Sequence, residues 1–405
     1  MLRFLEGSKA IAETIKLCRP QVVAIYPITP QTHIVENLAM FKANGFADYE
    51  YIRAESEFAA ASMVLGASAT GVRTYTASAS QGLLLMTEVL FNIAGLRLPV
   101  VMTSANRAVS APINIWNDQQ DAMTIRDAGW VMLFAETNQE AVDLHIQAYK
   151  IAERTNLPVM VCVDGFSLTH TSESVNIPDQ KLVDKFLPKL NRYRIPTPSR
   201  YPIPVNQYLD PQNPTSLGVL STPENYMPLR LKLHKDLLAS KQIIKKTASD
   251  FNKLFKKQQI TRYGLRVTGY DGLVEYTGPK NPKLILVAMG SVLGTIRHTV
   301  FDRNPIPIRN RNQIPIHQIG ILKIKCFRPF PDEEIAQIIL KTKPKNIAVI
   351  DRAISLGRDG ILLTELQQTL FKCGNIKTKA KNFILGLGGK DIRPEDILKI
   401  IKDIS

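Results

Sequence analysis

Three side chains in the first third of this 405-residue chain are of types that could bind an anion and move a proton. Thr29 lies just after a β-branched run and between two prolines, so its hydroxyl is presented on a stiff turn. Arg107 follows a second apolar run by a few residues and could pair its guanidinium with a carboxylate. Glu57 begins an apolar helical stretch, and its neighbours Phe58–Ala61 would partly shield its carboxylate from water.

Each of these residues also has a purely structural interpretation. Thr29 could cap a helix or stabilise a turn. Glu57 could be the acid at a helix start that complements the helix dipole, and Arg107 could pair with a local carboxylate. Periodicity alone does not decide between the two kinds of role. A position after a strand end modestly favours a site, because ligands of open α/β sheets bind at the carboxyl ends of the strands.

The first 175 residues predict repeated strand–loop–helix units. Short apolar runs predict strands and longer amphipathic or apolar runs predict helices. The strands are expected at Val22–Tyr26, Pro99–Ser104 and Pro158–Val163, and the helices at Glu57–Ala69, Leu83–Ala94 and Asn138–Glu153. This alternation predicts an α/β fold with a mainly parallel sheet and helices on both faces.

The rest of the chain predicts an arm, a linker and a second unit. Residues 1–228 form the first domain, which ends in an extended arm at 187–228 that contains nine prolines. Residues 229–260 predict a helical linker with one apolar stripe. Residues 261–405 predict a smaller α/β domain, interrupted by an exposed insertion at Asp302–Gln318. Its strands are expected from Leu284, at Ile319–Ile324 and at Asn346–Asp351.

Charge and hydropathy exclude several classes of protein. The net charge of +15 combines −5 over residues 1–175 with +20 over residues 176–405. We attribute the excess lysine to a solvated surface and expect no nucleic-acid partner, because no basic motif is interleaved with aromatic residues. No apolar run approaches the roughly 18 residues of a membrane helix. The N-terminus contains Glu6 and Glu13 and does not resemble a signal peptide, so we expect a cytoplasmic location and no membrane contact.

The cysteines and histidines predict no metal site. The four cysteines (Cys18, Cys162, Cys326 and Cys373) are far apart in the sequence, which is typical of reduced core thiols. There is no CxxC pair to bind zinc or an iron–sulfur cluster. The six histidines show no spacing typical of metal ligands, and we expect them to be structural or exposed.

Ordered motifs run along nearly the whole chain. The first domain contains YPITPQT at Tyr26–Thr32, RAESEFAAASMVLGASATG at Arg53–Gly71 and TSANRAVSAPINIWNDQQD at Thr103–Asp121. The second contains VAMGSVLGTI, CFRPFPDEEI and VIDRAIS. Together they resemble the α subunit of pyruvate:ferredoxin oxidoreductase, a member of the 2-oxoacid:ferredoxin oxidoreductase family. The resemblance implies a pyrimidine-type domain of the thiamine-diphosphate-binding fold, followed by a smaller α/β domain similar to the transketolase C-terminal domain.

The resemblance also implies roles for the three candidate residues. Glu57, the second glutamate of ESE, matches the acid that hydrogen-bonds N1′ of thiamine diphosphate and so promotes loss of the cofactor's C2 proton. Thr29 and Arg107 match the residues that hold the pyruvate carboxylate, and Thr29 is also expected to contact the cofactor. On a helix, Glu55 and Glu57 would point about 200° apart, so only one of them can face the cofactor.

The resemblance finally implies that other chains complete the enzyme. Thiamine enzymes bind Mg²⁺ and the diphosphate through Gly-Asp-Gly and a later Asn, whereas none of the three Asp-Gly pairs here follows a glycine (Asp164–Gly165, Asp271–Gly272 and Asp359–Gly360). Mg²⁺ and the iron–sulfur clusters are therefore expected on partner β, γ and δ subunits. The expected reaction converts pyruvate and CoA to acetyl-CoA and CO₂ and reduces ferredoxin.

Three alternatives to this function stay open at the level of sequence. The substrate could be 2-oxoglutarate or a branched-chain 2-oxoacid, although the SAPINIWNDQQD segment resembles the pyruvate type more closely. The chain could be a non-catalytic scaffold subunit of the same complex, which intact Thr29, Glu57 and Arg107 argue against. A nucleic-acid-binding role would rest on the basic second half alone.

Overall fold

The computed structural model describes residues 2–190, 208–212, 214, 216–255, 271–301, 314–374 and 377–404. Within residues 2–190, strands alternate with helices. The strands are β1 Leu2–Glu6, β2 Val22–Ile25, β3 Glu50–Arg53, β4 Thr74–Ser78, β5 Val101–Asn106, β6 Val131–Phe134, β7 Val159–Asp164 and β8 Ser172–Asn176. The helices are α1 Gly7–Cys18, α2 Thr32–Ala43, α3 Glu57–Ala69, α4 Ser80–Leu85, α5 Thr87–Gly95, α6 Gln120–Thr124, α7 Asn138–Thr155 and α8 Gln180–Phe186.

A long helix, α9 (Pro223–Leu254), leads to a second and smaller α/β unit. The strands of this unit are β9 Val274–Thr277, β10 Leu284–Ala288, β11 Ile319–Ile324, β12 Cys326–Arg328, β13 Asn346–Asp351 and β14 Lys379–Ile384. Its helices are α10 Val292–Phe301, α11 Asp332–Thr342, α12 Ile361–Lys372 and α13 Pro394–Ile404, with short 3₁₀ turns at Ile316–Gln318 and Leu387–Gly389.

The larger sheet is mostly parallel and fully covered at its centre. Its strand order is β12-β6-β7-β5-β4-β2-β3, and every pair is parallel except β12 with β6. Strands β5 and β7 are buried along their whole length, as expected for apolar strands with helices on both faces. Because β2, β4 and β5 are neighbours, the loops that follow them meet at one edge of the sheet.

The smaller sheet has the order β14-β13-β10-β11-β9, with β9 antiparallel. Strands β11 and β13 coincide with the sequence expectations at Ile319–Ile324 and Asn346–Asp351. Helix α13 packs through an apolar stripe, with Ile397, Ile400 and Ile401 buried and charged residues outward. The first and second units share a sheet, because β12 pairs with β6 of the first unit.

Two sequence expectations about the connections need correction. Helix α9 begins at Pro223 and so takes in the end of the expected 187–228 arm, because proline is well tolerated in the first turn of a helix. The single helix expected at Leu83–Ala94 is two helices, α4 and α5, which meet at Met86. Part of the arm (191–207) and most of the Asp302–Gln318 insertion (302–313) lie outside the described residues, and the division into domains stays a prediction.

Buried charge joins the two units on the side of β6. Glu136 and Glu140, at the start of α7, bind Lys323 of β11 at 2.8 and 2.7 Å. Glu140 also binds Lys325 at 2.8 Å, and Glu136 binds Arg297 of α10 at 2.8 Å. Burial alone would raise the pKa of Glu140, but Lys323 and Lys325 outweigh it and hold that pKa well below its usual range. Breaking such a buried network is costly, so it fixes how the units pack.

The cysteines are free, as the sequence predicts, and Cys18, Cys162 and Cys326 are buried. Burial raises the pKa of each of these three thiols, so they are inert core residues. None of the helices in the described ranges combines the length and apolar character needed to cross a membrane.

Candidate functional site

The turn that carries Thr29 connects β2 to α2 and is anchored by the buried side chain of Gln31. The Gln31 amide donates from Nε2 to the carbonyl oxygens of Tyr26 at 3.0 Å and of Ala77 at 2.8 Å. The second bond ties the turn to β4, which is the neighbouring strand. The N-cap of α2 is Gln31, so the capping interpretation of Thr29 is wrong.

Arg107 lies directly after β5 and is mostly buried. Its guanidinium donates from Nη1 to the backbone carbonyl of Thr29 at 3.0 Å and from Nε to the backbone carbonyl of Asn114 at 2.8 Å. Within the described part of the chain Nη2 has no protein acceptor, so one edge of the guanidinium is left for an external anion. Burial lowers the pKa of this group while the nearby Asp121 acts in the opposite direction.

Asp121 holds the backbone of Arg107 in place through hydrogen bonds. Its buried carboxylate accepts from the N–H groups of Ser80 at 2.9 Å, Arg107 at 3.0 Å and Ala122 at 2.7 Å, and from the Asn106 amide at 2.9 Å. Burial raises the pKa of Asp121 to about 6 in spite of these four donors. The local carboxylate therefore hydrogen-bonds the main chain of Arg107, and within the described structure it forms no ion pair with the guanidinium.

Glu57 is the first residue of α3, and Ser56 caps the helix by accepting from the N–H of Ala59 at 3.1 Å. Glu57 is only 7 % exposed, whereas Glu55 is an exposed residue. The buried acid of the ESE motif is therefore Glu57. Because it lies in the first turn, its carboxylate also complements the helix dipole, so this structural interpretation holds beside the functional one.

The surroundings of the Glu57 carboxylate come from β4 and α4. A Cβ atom placed on Gly82 would lie 2.4 Å from Oε1 of Glu57 and 2.6 Å from Oγ of Ser78. The carboxylate and the Ser78 hydroxyl thus both lie close to the Gly82 backbone. The expectation that the helical neighbours shield the carboxylate is wrong for Phe58, which is 40 % exposed.

A short path of contacts connects Glu57 to Arg107. Ser80 stands between Ser78 and Gly82 in the chain, and its N–H donates to the same carboxylate, Asp121, that holds the N–H of Arg107. Ser80 has a φ of 50°, a backbone conformation that is uncommon for residues other than glycine. The structure thus brings Thr29 and Arg107 into direct contact and joins Glu57 to them through α4.

The second unit holds the loop between β5 and α6 in place. Asn114 donates to the carbonyl of Gly388 at 3.1 Å, and the N–H of Gly389 donates to the carbonyl of Asn117 at 2.6 Å. Because Asn114 also accepts from Arg107, these bonds position the guanidinium from the far side.

A buried ion pair lies behind the same loop and joins the two units again. Asp164, at the end of β7, binds Arg352 at 2.8 Å. It also accepts from the N–H of Ser291 at 2.7 Å and from its hydroxyl at 2.5 Å. Both residues of the second unit follow strands of the smaller sheet, so the carboxyl ends of strands from both sheets meet here.

The residues near Glu57 fit the aminopyrimidine end of thiamine diphosphate. No donor among the described residues hydrogen-bonds the Glu57 carboxylate, although it is held in a fixed and largely buried place. The buried hydroxyl of Ser78 beside it has no partner in the described structure either. A buried carboxylate and hydroxyl that lack partners are costly unless a ligand supplies them. Both groups are of the kind that an aminopyrimidine could satisfy.

The fold and a matching family model place the chain in the class of thiamine-diphosphate-binding α/β proteins. Residues 13–249 match the family model described as "Pyruvate flavodoxin/ferredoxin oxidoreductase, thiamine diP-bdg". Residues 283–397 match a second model, "Pyruvate:ferredoxin oxidoreductase core domain II". The chain belongs to the pyruvate:ferredoxin oxidoreductase family. The resemblance and the fold class expected from the sequence are confirmed.

Individual relatives agree with this assignment. The chain is 44% identical to pyruvate synthase subunit PorA of Methanocaldococcus jannaschii, covering 100% of this chain and 95% of that protein. It is 39% identical to ketoisovalerate oxidoreductase subunit VorA of Pyrococcus horikoshii, covering 99% of this chain and 93% of that protein. A 2-oxoglutarate:ferredoxin oxidoreductase structure from Magnetococcus marinus shares the fold, with a TM-score of 0.69, 18% identity and 99% of this chain covered. The present chain spans 65% of the chain in that structure.

Sequence reasoning missed the residues that position the site. Gln31 and Asp121 lie inside the motifs and Ser80 lies between two of them, but nothing in their spacing shows which side chain accepts which bond. Asp164 and Arg352 are 188 positions apart and meet only because strands of both units end at one place.

Proposed function

We propose that this chain is the subunit that activates thiamine diphosphate in a pyruvate:ferredoxin oxidoreductase. The observation that carries the proposal is that the buried carboxylate of Glu57 and the contact between Thr29 and Arg107 lie at one edge of one parallel sheet. The relatives named pyruvate synthase subunit support pyruvate as the substrate. The reaction is the oxidative decarboxylation of pyruvate with CoA to acetyl-CoA and CO₂, with ferredoxin as the electron acceptor.

Each candidate residue has a distinct task in this proposal. Thiamine diphosphate, when bound, supplies the carbon that attacks the keto group and takes up the electrons released with CO₂. Glu57 hydrogen-bonds N1′ of the aminopyrimidine and holds a proton at that atom. Arg107 binds the substrate carboxylate through its free Nη2 edge, and Thr29 places its hydroxyl beside the carboxylate and the cofactor. Charge-assisted bonds of this kind are short and directional, so they set the angle at which the keto group approaches.

Partner chains complete the enzyme in this proposal. Asp164 is occupied by Arg352 and Ser291, and Asp271 accepts from the N–H groups of Leu273 at 3.0 Å and Val274 at 3.2 Å. Two of the three Asp-Gly aspartates thus already have partners within the chain. We therefore assign Mg²⁺, the diphosphate and the iron–sulfur clusters to β, γ and δ subunits.

An apolar surface beside Glu57 supports docking of the subunit that carries the diphosphate. Helix α3 has no charged residue other than Glu57, and α3, α4 and α5 pack together. Phe58, Leu85 and Phe91 on these helices are 40, 51 and 38 % exposed. Exposed apolar groups of this size are typical of protein–protein interfaces. A partner seated there would close the Glu57 carboxylate off from water.

The free thiols support a reducing, cytoplasmic location. Four cysteines are unpaired in the structure, and burial protects three of them. Proteins of oxidising compartments more commonly join such residues in disulfides.

Co-purification with the partner subunits tests the proposal. The chain alone should bind thiamine diphosphate weakly and oxidise no 2-oxoacid, whereas the assembled complex should reduce a dye acceptor with pyruvate. Oxidation of a 2-oxoacid by the pure single chain would refute the division of labour. An assembled, cofactor-loaded complex that oxidises no 2-oxoacid would support the scaffold role instead.

Ketoisovalerate is the second candidate substrate. The VorA relatives are 39% identical over 99% of this chain, which lies within the 39–44% range of the PorA relatives. A panel of pyruvate, 2-ketoisovalerate and 2-oxoglutarate distinguishes the candidates by kcat/KM, which measures discrimination between substrates. We expect pyruvate to give the highest value, and a higher value for 2-ketoisovalerate would assign the chain to the branched-chain group.

A further inference from the structure

Two imidazoles and a carboxylate from three distant parts of the first unit converge near the start of α2. One ligand-type atom from each of Glu6, His33 and His170 lies within 4.8 Å of those of the other two. Nδ1 of His33 lies 2.6 Å from Oε1 of Glu6, and the centroids of the two imidazole rings are 4.5 Å apart. All three residues are partly buried, so solvent can still reach the cluster.

Backbone contacts, and not the three side chains themselves, hold the cluster together. The N–H of Gly7 donates to the carbonyl of Thr171 at 3.2 Å, and the N–H of Ser8 donates to the carbonyl of Thr169 at 2.9 Å. The hydroxyl of Ser8 donates to the same Thr169 carbonyl at 2.9 Å. These bonds attach the loop that carries His170 to the junction of β1 and α1. A set of ligands positioned in this way loses little conformational entropy on binding an ion.

The His170 ring is already oriented for binding. Its Nδ1 lies 2.8 Å from Oγ1 of Thr169, which also accepts from the N–H of Phe166 at 2.8 Å. The contact is compatible with a proton on Nδ1, which is the tautomer that leaves the lone pair of Nε2 for an ion. Burial and the neighbouring His33 lower the pKa of His170, although Glu6 acts in the opposite direction. A second hydrogen bond that fixes the tautomer is typical of histidine ligands to metals.

We propose that Glu6, His33 and His170 form a binding site for a divalent transition-metal ion of the zinc type. Two imidazoles and one carboxylate are ligands that this class of ion accepts at about 2.0–2.2 Å, with water in a fourth position. Binding requires the Glu6 and His33 atoms to separate from 2.6 Å to about 3.3 Å, the spacing between ligands of a tetrahedral ion. Small rotations of two partly exposed side chains provide this change.

This site departs from our expectation of no metal ligand set among the histidines. His33 and His170 are 137 positions apart, so no motif spacing reveals them. The ion would join the end of β1, the start of α2 and the loop after β7. His33 is four residues from Thr29 on the same turn and helix start, so the ion would also brace that turn.

Titration of the full chain with Zn²⁺ against a chromophoric chelator tests the proposal. We expect one ion to bind per chain. Each of the variants His33→Ala, His170→Ala and Glu6→Gln should reduce the Zn²⁺ affinity at least about tenfold, as is typical when a metal site is disturbed. His234→Ala is the matched control, because His234 is an exposed histidine on α9, and its affinity should equal that of the wild type. Zn²⁺ should also raise the Tm of the wild type, because an ion that binds only the folded chain stabilises it.

Two results would overturn the proposal. One is a wild-type chain that takes up no Zn²⁺ in competition with the chelator, or a Glu6→Gln variant that binds Zn²⁺ as tightly as the wild type does. The other is a Co²⁺ complex with strong thiolate charge-transfer absorption, which would place the ion at a cysteine. Glu6→Gln keeps the size and hydrogen bonding of the side chain, so the test stands even if a histidine variant fails to fold.

Discussion

Arg107 donates from Nη1 to the main-chain carbonyl of Thr29 at 3.0 Å, so the two residues expected to hold a substrate carboxylate are in direct contact. The bond joins the loop after β5 to the turn after β2, across the intervening strand β4. It uses one end of the guanidinium and leaves Nη2 for a ligand. Because bonds within the chain hold the guanidinium in place, less entropy is lost when a carboxylate binds it.

Replacing Arg107 by alanine should therefore weaken pyruvate binding in the assembled complex. Loss of one partner of a desolvated, charge-assisted pair costs about 2–5 kcal/mol, so we expect KM for pyruvate to rise by about 30-fold or more. Steady-state kinetics and the content of bound thiamine diphosphate should be measured together. Arg358→Ala, at an exposed position, is the control and should leave KM unchanged. Loss of cofactor with an unchanged KM would mean that Arg107 serves the cofactor instead.

Gly82 offers a steric test of the Glu57 site. In Gly82→Ala the new Cβ would lie 2.4 Å from Oε1 of Glu57, so the carboxylate must move. We expect a folded complex whose kcat falls at least tenfold, because a displacement of about 1 Å in a catalytic group can cost 10²-fold. Gly294→Ala in α10 is the control, because nothing lies within 4 Å of its added Cβ and it is far from the proposed docking surface on α3–α5. Equal activity in the two variants would show that the position of Glu57 has no bearing on the reaction.

The sequence predicts the elements better than the contacts between them. The helix Glu57–Ala69 and the strand Asn346–Asp351 have the predicted bounds, because each is a clear apolar run bounded by polar or turn residues. The choice of Glu57 over Glu55 also agrees with their burial. The roles of these residues in catalysis stay predictions.

What the sequence could not show depends on distant parts of the chain. The pairing of β12 with β6 puts a strand of the second unit into the first sheet, and no local pattern specifies a partner strand. The support of Arg107 by Asn114 depends in turn on Gly388, 274 positions further along. Such contacts follow from the packing of whole units, whereas periodicity reports only the face that an element buries.

The buried charges between the units predict a stability that depends on pH. Lys323→Met should cost about 3–5 kcal/mol at pH 7, because it leaves Glu136 and Glu140 buried with less compensation. Lys280→Ala, at an exposed position, is the control and should change the free energy of unfolding by less than about 0.5 kcal/mol. Urea unfolding of the full chain at several pH values provides the measurement.

The sign of the pH effect follows from the two glutamates. Burial opposes ionisation of both acids, but nearby cations outweigh it and lower both pKa values below the ordinary 4.5. The cations are Lys323 and Arg297 for Glu136, and Lys323 and Lys325 for Glu140. Their stabilising contribution is therefore present above about pH 4.5 and is lost as the pH falls below that value. The difference between the wild type and Lys323→Met should shrink on acidification. A difference that stays constant down to pH 3 would exclude this network as its source.

The role of Glu57 is tested most directly by its amide variant. Glu57→Gln keeps the shape of the side chain and one hydrogen bond, but it cannot carry the proton that the proposed contact with N1′ requires. Positioned proton transfer typically contributes about 10²–10⁴-fold, so we expect exchange of the cofactor's C2 proton to slow by at least about a hundredfold in a folded complex. Glu55→Gln is the matched control: it is exposed and should stay within about threefold of the wild type, because a contact absent from the transition state costs little rate. Deuterium exchange at C2, followed by NMR, measures both variants. Slow exchange in Glu55→Gln alone would move the catalytic acid two residues toward the N-terminus, and normal exchange in both would remove this helix start from the mechanism.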